Sequence, residues 1–442
     1  VILRIFLIFY GALWLVLTPL VLVYLWGRGR RDPVYRTHIA ERFGVYSGTK
    51  PQGGVWIHAV SLGETRSAVP LIQLLLARGD RVVLTHFTPA GRGESARRFA
   101  DAIAAGQLRV VWVPLDMGWV HRRFLWAFQP RIGLTMEVEI WPAMIFAGRA
   151  AGIPLYLCNA QYTARSVARD GHGLRLRQRV IAGCAGAFVK SSLQAARFAS
   201  IGVRNITVTG ELRFDQPIPP GQLAAGAVQR PVLAAAGREV IAFVSVVEGE
   251  DELFIGVMQA LREQALARGG RLPFFVYVPR APERFGPVGD LIENSGLTVL
   301  RRSEAFGAGA EGLAVLVAPV ATPIDVLVGD SMGEMYFYLS LADRVVVGGG
   351  FTPTGAHNVI EPLALSKPVL TGPQTWTTEY PFVEAAAAGV AVSVPDGPAL
   401  IAALSEPSTA DLPAIQAFLA EHSGAAARTI AAMDAAVPTK RA

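Results

Sequence analysis

The chain has 442 residues, of which 52% are apolar and 17% charged, and 41 Lys+Arg against 35 Asp+Glu leave a net charge of +6. That length calls for two cores, and the composition excludes a long disordered tract. Cys158 and Cys184 have no metal-ligand spacing, which argues against a disulfide framework and suits a reducing compartment. The arginine excess favours an anionic partner, either a phospholipid surface or a phosphorylated substrate. Without a basic run interleaved with aromatics, nucleic acid is not expected.

Residues 5–26, IFLIFYGALWLVLTPLVLVYLW, form an uncharged 22-residue run. At about 1.5 Å per residue it is long enough to cross a hydrocarbon core of about 30 Å. It is longer than the apolar region of a signal peptide and meets GRGRR with no small-residue cleavage site, so residues 1–30 read as a membrane anchor. Tyr24 and Trp26 stand where an interfacial aromatic belt would place them. Arg28, Arg30 and Arg31 outnumber Arg4, which puts the rest of the chain on the cytoplasmic side, against anionic headgroups.

From residue 31 onward short Val/Ile/Leu-rich runs alternate with helical stretches, the pattern of α/β folds with parallel sheets. VWIHAV, RVVLTHF, RVVWVPL, RIGLTME, IPLYLCN, GAFVKS and ITVTG are the expected strands of a domain over 31–214. The Pro/Gly/Ala-rich stretch 215–231 reads as a linker. EVIAFVSV, PFFVYVPR, LTVLRR, AVLVAP, DRVVVGG, KPVLTGP and GVAVSV are those of a second domain over 232–442. Two Rossmann-like domains are expected, with ligands beyond the carboxyl ends of the strands.

Several strand-to-helix loops carry more than a turn needs. In Ser61-Leu62-Gly63-Glu64, Ser-x-x-Glu before an apolar run is a capping box, with the carboxylate reaching back to the N–H of Ser61. Capping alone would explain the pair, but Gly63 is costly inside a helix and natural where a ligand approaches. Glu64 is therefore a candidate base as well as a cap. SVVEGE at 245–250, DSMGE at 330–334 and the glycine-rich VVVGGGFTPTGAHNVIEP at 345–362 are further candidates, and Arg280 directly after a strand suits a phosphate. His58, inside a strand, reads as a core histidine.

WIHAVSLGET, MEVEIWP, VTGELRFD, VPRAPERF, DSMGEM and VVVGGGFTPTGAHNVIEPLALSKPVLTGP resemble, in order and over nearly the whole chain, the 3-deoxy-D-manno-octulosonic acid (Kdo) transferases of lipopolysaccharide synthesis. The resemblance implies a GT-B glycosyltransferase with two Rossmann-like domains facing a cleft and an N-terminal anchor at the inner membrane. It also implies CMP-Kdo as donor, a lipid A precursor (lipid IVA) as acceptor, and inversion at the anomeric carbon without a metal or other cofactor.

Position by position, the resemblance makes Glu64 the base. It assigns the acidic pair Glu137 and Glu139 and the cation Arg213 to catalysis, and Pro279, Arg280, Met332, Gly333, Glu334, Asn358 and Glu361 to the CMP moiety. The chain departs from the family at Glu211, where Asn is usual, and at Val247 and Ala281, where histidines are usual; Arg213 replaces Lys. A membrane-associated GT-B enzyme using another nucleotide sugar, and an inactive GT-B binding protein, are the alternative readings.

Overall fold

The computed structural model describes residues 2–307, 312, 313, 315, 316, 323–406 and 411–437. Strands β1 (Val55–His58), β2 (Val82–His86), β3 (Leu108–Trp112), β4 (Ile132–Met136), β5 (Leu155–Ala160), β6 (Gly186–Val189) and β7 (Ile206–Val208) fall on the seven apolar runs of the first half. They form one parallel sheet in the order β3-β2-β1-β4-β5-β6-β7. A second sheet has the order β10-β11-β9-β8-β12-β13-β14. Its strands are β8 (Val240–Val246), β9 (Phe274–Pro279), β10 (Val299–Arg301), β11 (Val326–Val328), β12 (Arg344–Val347), β13 (Val369–Thr371) and β14 (Ala391–Ser393). Helices cover both faces of such sheets, so the strands are continuous apolar runs: β1, β2, β4 and β5 in the first sheet and β9, β11 and β12 in the second are buried throughout.

The order in each sheet reverses at its first strand. The first sheet grows outward from β1 through β2 and β3, then continues on the other side from β4; the second reverses between β8 and β12. Neighbouring crossovers there run to opposite faces, which opens a crevice beyond the strand ends. The loops after β1, β4, β8 and β12 flank those two crevices.

The helices that matter below are α1 (Ile2–Arg28), α2 (Leu62–Ala77), α3 (Gly118–Phe128), α4 (Pro142–Ala150), α5 (Pro220–Leu233), α6 (Met335–Leu341), α7 (Ile360–Ala364) and α8 (Ala425–Ala436). The chain divides into two compact units, Val1–Gln216 with His422–Ala442, and Pro217–Glu421.

Three expectations are corrected. The stretch 215–231 is mostly helix α5. Pro220 opens that helix, Gly226 lets it approach Ser340 on α6, and Arg230 forms an ion pair with Asp343 at 2.8 Å. Its Pro/Gly content thus reflects a helix start and a close crossing. The second domain does not run to residue 442, because α8 returns to the first unit. There Ala425, Ala426 and Met433 join the core cluster of Val69, Leu71 and Ile72, and Asp215 caps the helix, accepting from the N–H groups of Gly424 at 2.6 Å and Ala426 at 2.7 Å. The fourth strand of the second half is Val326–Val328 rather than AVLVAP at 314–319, which lies partly outside the described residues; there Leu316 makes an isolated antiparallel bridge to Phe306. Asp325 interrupts the apolar run ahead of β11 and hid it. Its carboxylate is a turn anchor that accepts from Thr298 N–H at 3.0 Å and faces Arg262 at 3.6 Å.

Candidate active site

In the first unit β1 breaks at Ala59 and α2 begins at Leu62, with Ser61 as its N-cap. Ser61 Oγ accepts from Glu64 N–H at 3.3 Å and donates to Glu64 Oε1 at 3.1 Å. The expected reach of the carboxylate to Ser61 N–H is not made. Glu64 Oε2 instead accepts from the N–H of Val60, one residue earlier, at 2.7 Å. The cap is present, but it aims the carboxylate at the β1 end of the crevice.

Glu64 is 9% exposed. Burial pushes its pKa up to about 8, the charges of Glu139 and Glu137 push the same way, and the donations from Val60 and Ser61 only partly offset them. A cap serves best as a full-time anion, whereas a carboxyl poised near neutrality suits proton transfer.

Glu137 and Glu139 follow β4, across the topological switch from Glu64. Glu137 is in the left-handed region, φ 56°, and its N–H donates to Cys158 O at 2.8 Å. Glu139 Oε2 accepts from Trp141 Nε1 at 2.9 Å, and the Trp141 ring meets His58 edge-on at 5.4 Å. Both carboxylates act electrostatically on Glu64, Glu139 more strongly. His58 is fully buried, 2.9 Å from Thr85 Oγ1, and burial with two neighbouring histidines drives its pKa down to about 3, so it is a neutral core residue.

Arg213 is held more tightly than expected. Its Nη2 donates to Glu211 Oε2 at 3.0 Å, and Lys190 Nζ meets the same oxygen at 2.7 Å. Asn159 Nδ2 donates to the other Glu211 oxygen at 2.8 Å. Burial pushes the fully enclosed Glu211 carboxyl up, but Arg213 and Lys190 outweigh it and hold the group well below the usual carboxylate range. The family departure at Glu211 therefore supplies an anion between two cations. Glu211 Oε1 also accepts from Arg213 N–H at 3.3 Å and so caps the Leu212–Asp215 turn.

In the second unit the glycine-rich turn after β12 is organised by a residue that the sequence reading passed over, although its loop stood out. Glu250 is completely buried. Its carboxylate accepts from Gly349 N–H at 2.7 and 2.8 Å, Phe351 N–H at 3.1 Å and Val247 N–H at 3.2 Å, which joins the loops after β8 and β12 at the switch point. The glycines are needed: Gly349 has φ 89°, and a Cβ there would lie 2.3 Å from Gly355 O.

Arg280, directly after Pro279 and β9, is exposed, and its N–H donates to Val246 O at 3.0 Å. Its guanidinium stands close enough to His357 to lower that residue's pKa, which burial together with Arg280 brings down to about 4; His357 Nε2 has no hydrogen-bond partner among the described residues. Asn358 Oδ1 accepts from Ile360 N–H at 3.0 Å, opening α7, whose first turn carries Glu361. Glu361 acts on Tyr336 of α6, whose hydroxyl burial and that carboxylate hold well above the usual range. Arg280, His357, Asn358 and Glu361 therefore share the strand-end face of this sheet. Met332 is two-thirds exposed, and Gly333, at φ 83°, has open space around it. Glu334 is occupied: Arg302 donates to its two oxygens at 2.6 and 2.7 Å, so its carboxylate anchors the 330–334 loop. Where the family histidines are missing, Val246 and Val247 are buried and Ser245 takes φ 58°.

Two doubly wound parallel units, each with a switch point, make up the GT-B fold of many glycosyltransferases. A solved glycosyltransferase from Rickettsia africae has this fold, with a TM-score of 0.55 at 11% identity over 88% of this chain and 99% of that one. So does UDP-GlcNAc 2-epimerase from Methanocaldococcus jannaschii, with a TM-score of 0.53 at 10% identity over 81% and 94%. The family profile "3-Deoxy-D-manno-octulosonic-acid transferase (kdotransferase)" matches residues 37–216. A 3-deoxy-D-manno-octulosonic acid transferase of Bordetella pertussis is 39% identical over 95% of this chain and 96% of its own length, and one of Haemophilus influenzae is 30% identical over 83% and 82%. The chain belongs to the 3-deoxy-D-manno-octulosonic acid transferase family.

Proposed function

We propose that the chain transfers Kdo from CMP-Kdo to a lipid A precursor, lipid IVA, with inversion at the anomeric carbon and without a metal, at the cytoplasmic face of the inner membrane. The observation that carries this is Glu64, a carboxyl buried at the strand-end crevice, held in one orientation by Val60 and Ser61, with its pKa near 8. As the acceptor hydroxyl oxygen bonds to the anomeric carbon, its proton passes to the Glu64 carboxylate. The bond from that carbon to the phosphate oxygen breaks, and CMP departs with the electron pair.

Charge grows on the leaving phosphate, and the second unit offers Arg280 beside His357 to receive it. In this reading Asn358 and Glu361, which follow the Glu250-pinned turn, contact the nucleoside; the turn's hydrogen bonds and the Asn358 cap support it. Guanidinium charge, that of Arg280 first, in this reading neutralises the leaving phosphate in place of a divalent cation. Incubation of the full chain with CMP-Kdo and lipid IVA, read by mass, tests the proposal: addition of Kdo is expected, and CMP should compete better than UDP. No mass increase, or preference for UDP, would point to another nucleotide sugar.

A further inference from the structure

Helix α1 is apolar on every side, with a mean hydropathy of 2.4 over its most apolar window, yet it is covered by protein on one side alone. Its partly buried positions recur every three or four residues from Leu3 to Leu25, and that stripe is docked along the first unit. Leu3 and Phe6 pack on the cluster of Met144 and Ile145, and Trp14 and Val21 on Leu115, Met117 and Val120. Tyr10 donates to Asp116 Oδ2 at 2.7 Å, and Leu25 is 2% exposed. Asp116 is in turn built into the fold: it faces His121 Nε2 at 3.0 Å and accepts from the N–H groups of Ala143 and Met144 that open α4.

A perpendicular span is incompatible with this docking. With Arg28 at one headgroup layer, Tyr10 would stand about 27 Å deeper at about 1.5 Å per residue. It would carry Asp116, His121 and the start of α4 to the far side of a core about 30 Å thick.

The opposite face of α1 is bare. Ile8, Phe9, Val16 and Val23 are 67–72% exposed, and Arg4 is the only charged residue before Arg28. An apolar stripe of that length needs an apolar medium. The neighbouring surface suits a headgroup boundary. Trp26 lies between the guanidinium groups of Arg30 and Arg36, at 4.5 and 4.8 Å from its ring centre, and α3 presents Trp126 and an Arg123–Trp119 pair at 4.8 Å.

We propose that α1 does not cross the bilayer but lies in one leaflet, its stripe from Leu3 to Leu25 on the folded unit and its outer stripe in the acyl chains. Arg28, Arg30 and Arg36 then meet the anionic headgroups. This deepens the membrane location proposed above, and its test does not depend on sugar transfer.

The native cysteines are buried, so introduced ones can be read singly. The full chain is reconstituted in phosphatidylethanolamine–phosphatidylglycerol vesicles with Arg4→Cys or, as a reference on the folded unit, Arg97→Cys, and is treated with a membrane-impermeant maleimide. The two positions should label to the same fraction from the outside; complementary fractions would mean a span and overturn the proposal. Thr18→Cys with Met117→Cys, whose native Oγ and Sδ lie 3.9 Å apart, should form a disulfide in the vesicles, and failure to do so would show that α1 leaves the unit. A fluorophore on Val16→Cys should be quenched by lipids carrying an acyl-chain spin label. Absence of quenching together with Phe9→Cys dimer formation would make a second copy the occupant and also overturn the proposal.

Discussion

Glu64→Gln separates the two roles of one side chain, because the native site disfavours the charged form that a base requires. The folded pKa of about 8 stands above the ordinary 4.5. The stability contributed by the neutral form is therefore fully present below about pH 4.5 and is lost as pH rises through about 8. The linkage integral gives a cost of keeping Glu64 folded of ~2 kcal/mol at pH 6 and ~3 kcal/mol at pH 7, and almost nothing at pH 4. A glutamine is neutral throughout, and its carbonyl can still accept from Val60 N–H. The variant should be no more stable than wild type at pH 4 and more stable by ~3 kcal/mol at pH 7, a Tm increase of several degrees. Its transfer rate should fall roughly 100-fold to 10,000-fold. In wild type kcat/KM should rise with pH toward a plateau above about 8. Thermal unfolding and transfer rates of both proteins, taken from pH 4 to 9, test this together. A stability difference that is flat with pH would refute the buried-acid argument, and a folded glutamine variant with a normal rate would leave Glu64 as a helix cap alone.

Glu139→Gln removes the larger of the two charges acting on Glu64 while keeping an acceptor for Trp141, so the midpoint of the rate profile should move to lower pH; an unmoved midpoint would show that the two do not interact. Arg280→Ala should weaken CMP binding roughly 10-fold to 100-fold, the scale of one charge-assisted hydrogen bond. It should also raise the His357 pKa from about 4, measurable by NMR titration, whereas unchanged CMP affinity would remove Arg280 from the nucleotide site. Glu211→Gln leaves Lys190, only 3% exposed, without its counter-charge and should cost about 3–5 kcal/mol in a denaturant titration at pH 7. The wild-type pH dependence has the opposite sign to that of Glu64: stability from Glu211 is present above about pH 4.5 and is lost as pH falls toward its depressed folded value. A fragment spanning 217–421 should bind CMP, and a fragment starting at 232 should fold poorly because it cuts α5 and carries an unpartnered α8; equal behaviour of the two would contradict the unit boundaries.

Strands were legible where burial on both sheet faces makes a run apolar, as in VWIH and RVVV, and illegible where one charged anchor breaks the run, as Asp325 does before β11. Glu64 was legible because capping and catalysis both write Ser-x-x-Glu. Which atom its carboxylate grips was not, since Val60 and Ser61 compete within one turn. How Glu334 and Arg213 are held was not legible. Glu334 pairs with Arg302, and Arg213 with a Glu211 that also holds Lys190; these pairings depend on loops meeting in space and leave no spacing to read. Glu250 looked like one more acidic loop residue, because its four N–H contacts come mostly from a turn about a hundred positions later. The domain boundary was misplaced since Pro, Gly and Ala mark both linkers and tightly crossed helices.

The return of α8 to the first unit sets an order of events during synthesis. Thr209 O accepts from Arg428 Nε at 2.9 Å, Arg131 Nη1 donates to Val437 O at 3.3 Å, and Asp215 waits for Gly424 and Ala426. None of these partners exists until the ribosome has translated the whole of Pro217–Glu421. Until then the core cluster that holds Val69, Leu71 and Ile72 lacks Ala425, Ala426 and Met433. The first unit therefore stays open at one face while the second is made, and it closes only when a segment that follows the second has been added.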